Sequence, residues 1–449
     1  MKNLGIKKVI IGLFVLFAII AFLIFSGVIK IEGKNGPASG KVVVWGTLPT
    51  QTMQPYIERV KTKDISVSYQ RKEIKNYESD LVNAIAAGSG PDVFIVPHEL
   101  ALRHTDKIFE IPYTSFPKAQ YEQTYIDAAD IFLTDTGVTA LPLSVDPLIM
   151  YYNRNLVSSS FQLGVPEYWD EIFSFVQEIN AVQTSGEVNV SGLAMGTYDN
   201  VNWAKDIVSL LLLQNNNPIV RTDSFSGKKI SSLSFIEGSL VQSQQALEFF
   251  TSFANRQNEN YSWNEALPDS RDMFVAGDLA IYIGRASEIE NIQSKNPNLD
   301  FNIALIPQIR DTQYKSTTGS LSAIAISKQS SNIAPSITVA AALAGNTVAG
   351  DLADDLLVAP ARRDLLNMPP SQAYKSLIFN SAIISKAWFD PAPEATGELI
   401  RTMVRSINSG AQSVIDAIQS AHADLNTALD QTINTTLPDL NRAPSATNI

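Results

Sequence analysis

The one histidine cluster in the sequence, His98-Glu99 with His104 and Asp106, is where a metal hydrolase would first be sought. Its spacing is not the His-Glu-x-x-His that sets two imidazoles on one helical face around zinc, so a zinc hydrolase has no support. The third histidine, His422, stands far away in sequence. There is no cysteine, which removes disulfides, a thiol nucleophile, a thiolate zinc site and lipid attachment through an N-terminal cysteine. A glycosidase needs two carboxylates about 5 to 9.5 Å apart across a cleft. Asp146 and Glu99 are of the right type, and their sequence separation does not decide the distance. No Gly-x-x-x-x-Gly-Lys-Ser/Thr phosphate loop occurs. The formal charge is −11, and because the first forty residues hold five lysines and one glutamate, the remainder carries −15. That argues against a general nucleic-acid binder.

Such side chains need elements to position them. At 449 residues the chain exceeds one ordinary domain, so two or more lobes are expected. Its composition of 45% apolar and 18% charged residues is that of a globular protein. Lys41 to Gly46 reads as a buried strand, and Ile65, Val67 and Tyr69 alternate with serines as a second. Tyr77, Leu81 and Ile85 mark a helix that Gly88 ends, and Asp92 to Val96 is a third strand. Strand, helix, strand, helix, strand is the pattern of a parallel sheet with right-handed crossovers. Such sheets bind ligands at the carboxyl ends of their strands, here Gly46 to Thr50 and Pro97 to Leu100. Val138 to Pro142 and Leu148 to Tyr152 read as two extended segments flanking Ser144 to Asp146. Helical patterns recur at Trp169–Ile179, Trp203–Leu213, Ala246–Ala254 and Pro335–Leu343. Two more follow near the end, the second over about Ser413–Ile433.

The N-terminal region carries its own signal. Val9 to Ile29 is a 21-residue stretch without charge, preceded by Lys2, Lys7 and Lys8. At about 1.5 Å per residue it reaches about 30 Å, the thickness of a bilayer core. A cleaved signal peptide is the rival reading, but its apolar part is shorter, about 7 to 15 residues, and Ala38-Ser39-Gly40 comes late for a cleavage site. The lysines place the N-terminus in the cytoplasm and everything after Ile31 outside the membrane. Glu32 to Gly40, with three glycines and Pro37, is a short tether.

Seven stretches then occur in a known order. They are Val42-Val-Val-Trp-Gly46; Ala84-Ile-Ala-Ala-Gly-Ser-Gly-Pro-Asp-Val93; Ala140-Leu-Pro-Leu-Ser-Val-Asp-Pro-Leu-Ile-Met-Tyr-Tyr-Asn153; Val165-Pro-Glu-Tyr-Trp-Asp-Glu171; Met273-Phe-Val-Ala-Gly-Asp-Leu-Ala-Ile281; Ile303-Ala-Leu-Ile-Pro307; and Ala323-Ile-Ala-Ile-Ser327. In this order the chain resembles the extracytoplasmic solute-binding proteins of ABC importers, in the sugar-binding branch that includes maltose-binding protein. The resemblance implies an α/β, two-lobed periplasmic-binding-protein fold of type II, here preceded by one N-terminal transmembrane helix. Its expected parts are an anchor at 1–31, a tether at 32–40, a first lobe at 41–143 and 317–345, a second lobe at 147–308 and 351–437, and a disordered tail at 438–449. The chain would cross between lobes near Pro142 to Pro147, Gln308 to Thr317 and Gly345 to Asp351.

Ligand would bind between the lobes, which close over it and hand it to a membrane permease, with no chemistry on the ligand and no cofactor. The expected protein is a monomer, held at the cell membrane by its N-terminal helix with the binding domain outside. It takes a small-molecule ligand, a carbohydrate, and no nucleic acid or metal. Alternatives within the same fold are a membrane-tethered sensor and a ferric-ion binder, the latter because Tyr151-Tyr152 resembles the paired tyrosines of iron-binding relatives. A glycoside hydrolase is a more distant one.

A sugar cleft needs carboxylates or amides for hydroxyls and aromatic rings for C–H faces. In the matched stretches the family places a ligand-binding carboxylate at Asp146 and often an acidic side chain at Glu99, although Val96 and Leu100 depart from the aromatic residue and arginine of maltose-binding protein. Trp388 resembles a stacking tryptophan of the second lobe. Trp45 ends the first strand where the sheet opens on the cleft. Tyr198 and Trp203 bracket a polar loop, of which one is expected to face the cleft. Gly284 and Arg285 follow a strand where the family presents a short cleft loop, and Arg285 is suited to a hydroxyl or an acidic sugar. Trp169 reads as structural, and Trp263 is undecided.

Overall fold

The computed structural model describes residues 38–436, except 161–163, 183–187, 235–239, 313, 369 and 371–372. The expected anchor at 1–31, most of the tether and the tail at 438–449 lie outside the described residues. Among the described residues no single helix is long and apolar enough to cross a membrane.

The first lobe is built as its periodicities dictate. Strand β1 (Gly40–Gly46) pairs in parallel with β2 (Ile65–Arg71) and β3 (Val93–Pro97). Helix α1 (Thr50–Val60) buries Met53, Tyr56, Ile57 and Val60, the i, i+3, i+4, i+7 stripe of a helix lying on a sheet. Each such side chain, fully buried, contributes about 1.5 to 3 kcal/mol. Helix α2 (Tyr77–Ala86) does the same with Tyr77, Leu81 and Ile85, and Gly88 follows it at φ +70°, a left-handed position that glycine adopts without strain. The expected loop after β3 is instead the short helix α3 (His98–Arg103), so His98 and Glu99 leave the sheet on its first turn.

The two extended segments expected around Asp146 form one strand, β4 (Leu141–Asn153). Its first half pairs antiparallel with β8 (Thr317–Ile326) in the first lobe. From Leu148 onward it pairs with β6 (Leu279–Arg285), and toward its end also with β7 (Phe301–Ala304), in the second. Pro147, opposite Gly319, is the last residue paired with β8 before the partners change, so its missing N–H falls at the end of that ladder. Strand β5 (Val188–Leu193) lies beside β6 in parallel. Helix α4 (Ala204–Gln214) packs in the second lobe with a face of leucines buried.

The expected return to the second lobe near residue 351 is corrected by the contacts. Helix α5 (Asn346–Asp355) lies against α1, with Arg59 Nη1 to Asp351 at 2.5 Å and the Tyr56 hydroxyl donating to Asp355 at 2.5 Å. Ala359 and Pro360 pair with Val145 and Ser144, and Arg363 is ion-paired with Asp127. Strand β9 (Ser385–Lys386) still adds to β8. The chain joins second-lobe elements at Asp390, which bonds to Lys205, and continues into α6 (Pro393–Asn408) and α7 (Val414–Thr436). Apolar burial decides this: the α5 face of Val348, Ala349, Leu352 and Ala353 is covered only in the first lobe. Trp169 and Trp263 are both core, their indole N–H groups donating to Gln214 Oε1 at 2.6 Å and Asn200 Oδ1 at 3.1 Å.

Candidate binding site

Where β4 leaves the first lobe, a cavity of about 240 Å³ opens between the lobes. Five of the residues singled out from sequence line it: Glu99, Asp146, Trp203, Arg285 and Trp388. With them stand His98, Lys205, Asp206, Lys386, Ala387, Asp390 and the β8 segment Thr318 to Ser320.

The second-lobe wall is tied together by hydrogen bonds. Trp203 precedes α4 in a left-handed conformation, φ 62° and ψ 22°, which is costly for an aromatic residue and persists only when its surroundings enforce it. The enforcement is Glu288, whose Oε2 accepts from Trp203 Nε1 at 2.8 Å, from the Tyr282 hydroxyl at 2.8 Å and from the Arg285 main-chain N–H at 3.1 Å. Its other oxygen accepts from Arg271 at 3.0 Å. The carboxylate is buried; burial first, and then the Glu288 charge, push the Tyr282 hydroxyl pKa far up. The indole remains 38% exposed toward the cleft.

Arg285 is buried beneath it, its guanidinium 5.2 Å from the Trp203 ring centre. Nη1 donates to the Asp146 main-chain oxygen at 2.7 Å and Nη2 to Asp206 Oδ1 at 2.6 Å. Arg285, expected to suit a hydroxyl or an acidic sugar, lines the cavity with its charge matched by Asp206. The Asp146 carboxyl takes the Ser287 N–H at 3.1 Å and the Ser287 hydroxyl at 2.6 Å. Loss of hydration raises its pKa above the usual carboxylate range; Arg285 and Ser287 oppose that, and Glu288 adds to it.

Trp388 is held from the second lobe. Lys205 lies 5.7 Å from its ring centre and is ion-paired with the buried Asp390, while donating to Pro393 O at 2.9 Å and Thr396 Oγ1 at 2.8 Å. Asp390 in turn accepts from Thr396 at 2.8 Å and from the Ala392 N–H at 3.1 Å. On the first-lobe side, Glu99 lies 3.2 Å from His98 Nδ1, and the Leu321 N–H donates to that same nitrogen at 3.3 Å. Thr318 Oγ1 is buried and has no hydrogen-bond partner among the described residues.

Three sequence-based candidates lie elsewhere. Trp45 is buried, with Lys72 Nζ 3.6 Å from its ring centre, and it does not line the cavity. Tyr198 packs against α6, its ring 5.3 Å from the Arg401 guanidinium; of the Tyr198 and Trp203 pair, Trp203 is the one that faces the cleft. Gly284 is packed behind the site, where a Cβ would stand 2.5 Å from both Glu288 Oε2 and Tyr282 Cε1. Its role is to let the Glu288 network close. Tyr151 is fully buried and donates its hydroxyl to Arg285 O at 2.5 Å, so the tyrosine pair does not present two phenols to an ion. Sequence reasoning missed Lys205, Asp206 and Asp390. The available signal was the Trp203-x-Lys205-Asp206 opening of a helix and the Asp390 two residues beyond Trp388.

A larger, shallower depression of about 810 Å³ lies on the second lobe beside α6, but the side chains that line it include no aromatic ring. A saccharide face would find nothing to stack on there.

Comparison with known proteins adds to this geometry. The family described as "Bacterial extracellular solute-binding protein" matches residues 46–348. A maltotriose-binding protein of Pyrococcus abyssi is 26% identical over 140 residues, covering 30% of this chain and 29% of that relative; the match thus spans less than a third of its length. Among solved structures, the sugar-binding protein MalE from Xanthomonas citri superposes with a TM-score of 0.71 at 16% identity, over 88% of this chain and 99% of the other. A cyclo/maltodextrin-binding protein complexed with maltotetraose gives 0.69 at 18% identity, over 90% and 99%.

Proposed function

The chain belongs to the bacterial extracellular solute-binding protein family, and we propose on that premise that it is an extracytoplasmic receptor for a sugar or oligosaccharide that serves an ABC transporter permease. One observation carries the reading: the cavity between the lobes brings two tryptophans, Trp203 and Trp388, together with the carboxylates Glu99 and Asp146. Rings cover C–H faces and carboxylates accept from hydroxyls, which is the pairing a saccharide requires. The relatives named for maltotriose and maltodextrin binding are in accord. The proposed membrane anchor is Val9 to Ile29, with the receptor kept near the bilayer by the short tether.

At about 240 Å³ the cavity is smaller than the roughly 300 to 1,000 Å³ usual for small-molecule sites. A ligand longer than a small sugar would therefore enter through rotation of the lobes about β4 and the two other crossings. Closure then follows from tighter binding to the closed state.

The test is a thermal-shift and calorimetric screen of the full chain in detergent micelles against maltodextrins, mannotriose, monosaccharides, amino acids, peptides and ferric citrate. A ligand at 100 times its Kd should stabilise the fold by about 2.7 kcal/mol. Stabilisation by ferric citrate alone, or hydrolysis of a glycoside, would replace the sugar-receptor reading.

A further inference from the structure

The charges around the cavity are unevenly matched. Its three cations each have a carboxylate partner within the protein: Lys205 with Asp390, Arg285 with Asp206 at 2.6 Å, and Lys386 with Asp127 at 3.2 Å, a carboxylate that Lys386 shares with Arg363. Two of those carboxylates, Asp390 and Asp206, are consumed in the same pairs. Glu99 and Asp146 are left. Among the described residues neither has a lysine or arginine within ion-pair distance. Asp146 is bonded only through Ser287, and Glu99 meets only the imidazole of His98. The arginine beside Asp146 directs Nη1 to the main-chain oxygen of Asp146 and Nη2 to Asp206 rather than to the Asp146 carboxylate.

We propose that the cavity selects a ligand bearing a protonated amine among its hydroxyls, an amino sugar, over its neutral counterpart, and rejects uronic acids. The inference rests on the sugar-receptor reading and specifies its substrate class. A partly buried carboxylate without a cation is poorly solvated, and a ligand ammonium supplies both the charge and the hydrogen-bond donors it lacks. A uronate meets the opposite situation. It brings a third negative charge beside Glu99 and Asp146, to cations that already hold Asp206, Asp390 and Asp127. The raised pKa of Asp146, caused first by loss of hydration, is consistent with a carboxyl that lacks such a partner.

The experiment titrates the full chain in detergent micelles with maltotriose, cellotriose and mannotriose, each beside its 2-amino, 6-amino and 6-carboxylate counterparts. For a parent that binds, at least one amino counterpart should bind at least about tenfold tighter, and the carboxylate should bind more weakly than the parent. In Glu99→Gln and Asp146→Asn chains with wild-type near-UV circular dichroism, the ratio of amine to parent affinity should fall toward one. A carboxylate that binds as well as its parent, no amine tighter than its parent, or a ratio unchanged in both variants would each overturn the inference while leaving the sugar reading standing. If no trisaccharide of any charge binds, the amino-sugar inference falls, and the sugar-receptor reading is decided by the monosaccharides and maltodextrins of the wider screen.

Discussion

On the second-lobe wall of the cavity Trp203 is held by Glu288, Arg285 by Asp206, and Lys205 by Asp390, whereas the first-lobe wall of α3 and β8 presents Glu99 beside a histidine and Thr318 with an unpartnered hydroxyl. One wall has satisfied its polar groups internally. The other keeps a partly exposed acceptor at Glu99, with the buried Thr318 hydroxyl behind the cavity surface. A receptor that closes on its ligand gains from this asymmetry, because rings that are already fixed lose little entropy on binding while open donors and acceptors supply the gain.

Breaking the second-lobe wall should have the largest effect. Glu288→Ala leaves the Trp203 indole, the Tyr282 hydroxyl and Arg271 without their shared acceptor, and is expected to cost about 3 to 5 kcal/mol in urea unfolding. Trp388→Ala removes a ring rather than a network; it should weaken saccharide binding by about 2 kcal/mol, roughly thirtyfold in calorimetric Kd, with little change in unliganded melting. The first-lobe wall is sharpened by Thr318→Val, which removes a hydroxyl that has no hydrogen-bond partner among the described residues. Affinity should fall by about 1 kcal/mol while unliganded stability holds or rises slightly. If both binding and stability fall, the hydroxyl is structural and the two walls are alike.

The smallest expected effect is a pH dependence. Because the folded Asp146 carboxyl has a raised pKa, the folded state holds its proton more tightly than the unfolded state does. Its contribution is therefore most favourable below the unfolded value of 3.8 and declines as pH rises from there through the raised folded value. The melting temperature of Asp146→Asn relative to wild type should accordingly be higher at pH 7 than at pH 3.5. A constant difference would mean that the carboxyl is not perturbed.

Much of the fold was legible because it is written in local periodicity. The buried stripe of α1, the Tyr77-Leu81-Ile85 face of α2 and the valine run of β1 each follow from neighbours a few residues apart. The third crossing was not, because nothing between residues 345 and 390 says which sheet an apolar helix such as α5 will cover. Trp45, Trp203 and Trp388 look alike as sequence, each closing or preceding an element with polar neighbours. Only packing separates them: Trp45 is buried in the first lobe, while Glu288 and Lys205 hold the other two at the cavity.

By itself the sequence determined many of the secondary elements and their order, the two-lobed family and the location of a carboxylate at the crossing, since these depend on short-range spacing and motif order. Tertiary structure alone decided which charges remain available. Arg285 reads as a ligand-ready cation until Asp206 is seen beside it, 79 residues away in sequence, and Lys205 is drawn to the site by Asp390, 185 residues away. Charge matching depends on distances of a few ångströms between such remote residues, and those distances exist only once the chain has folded.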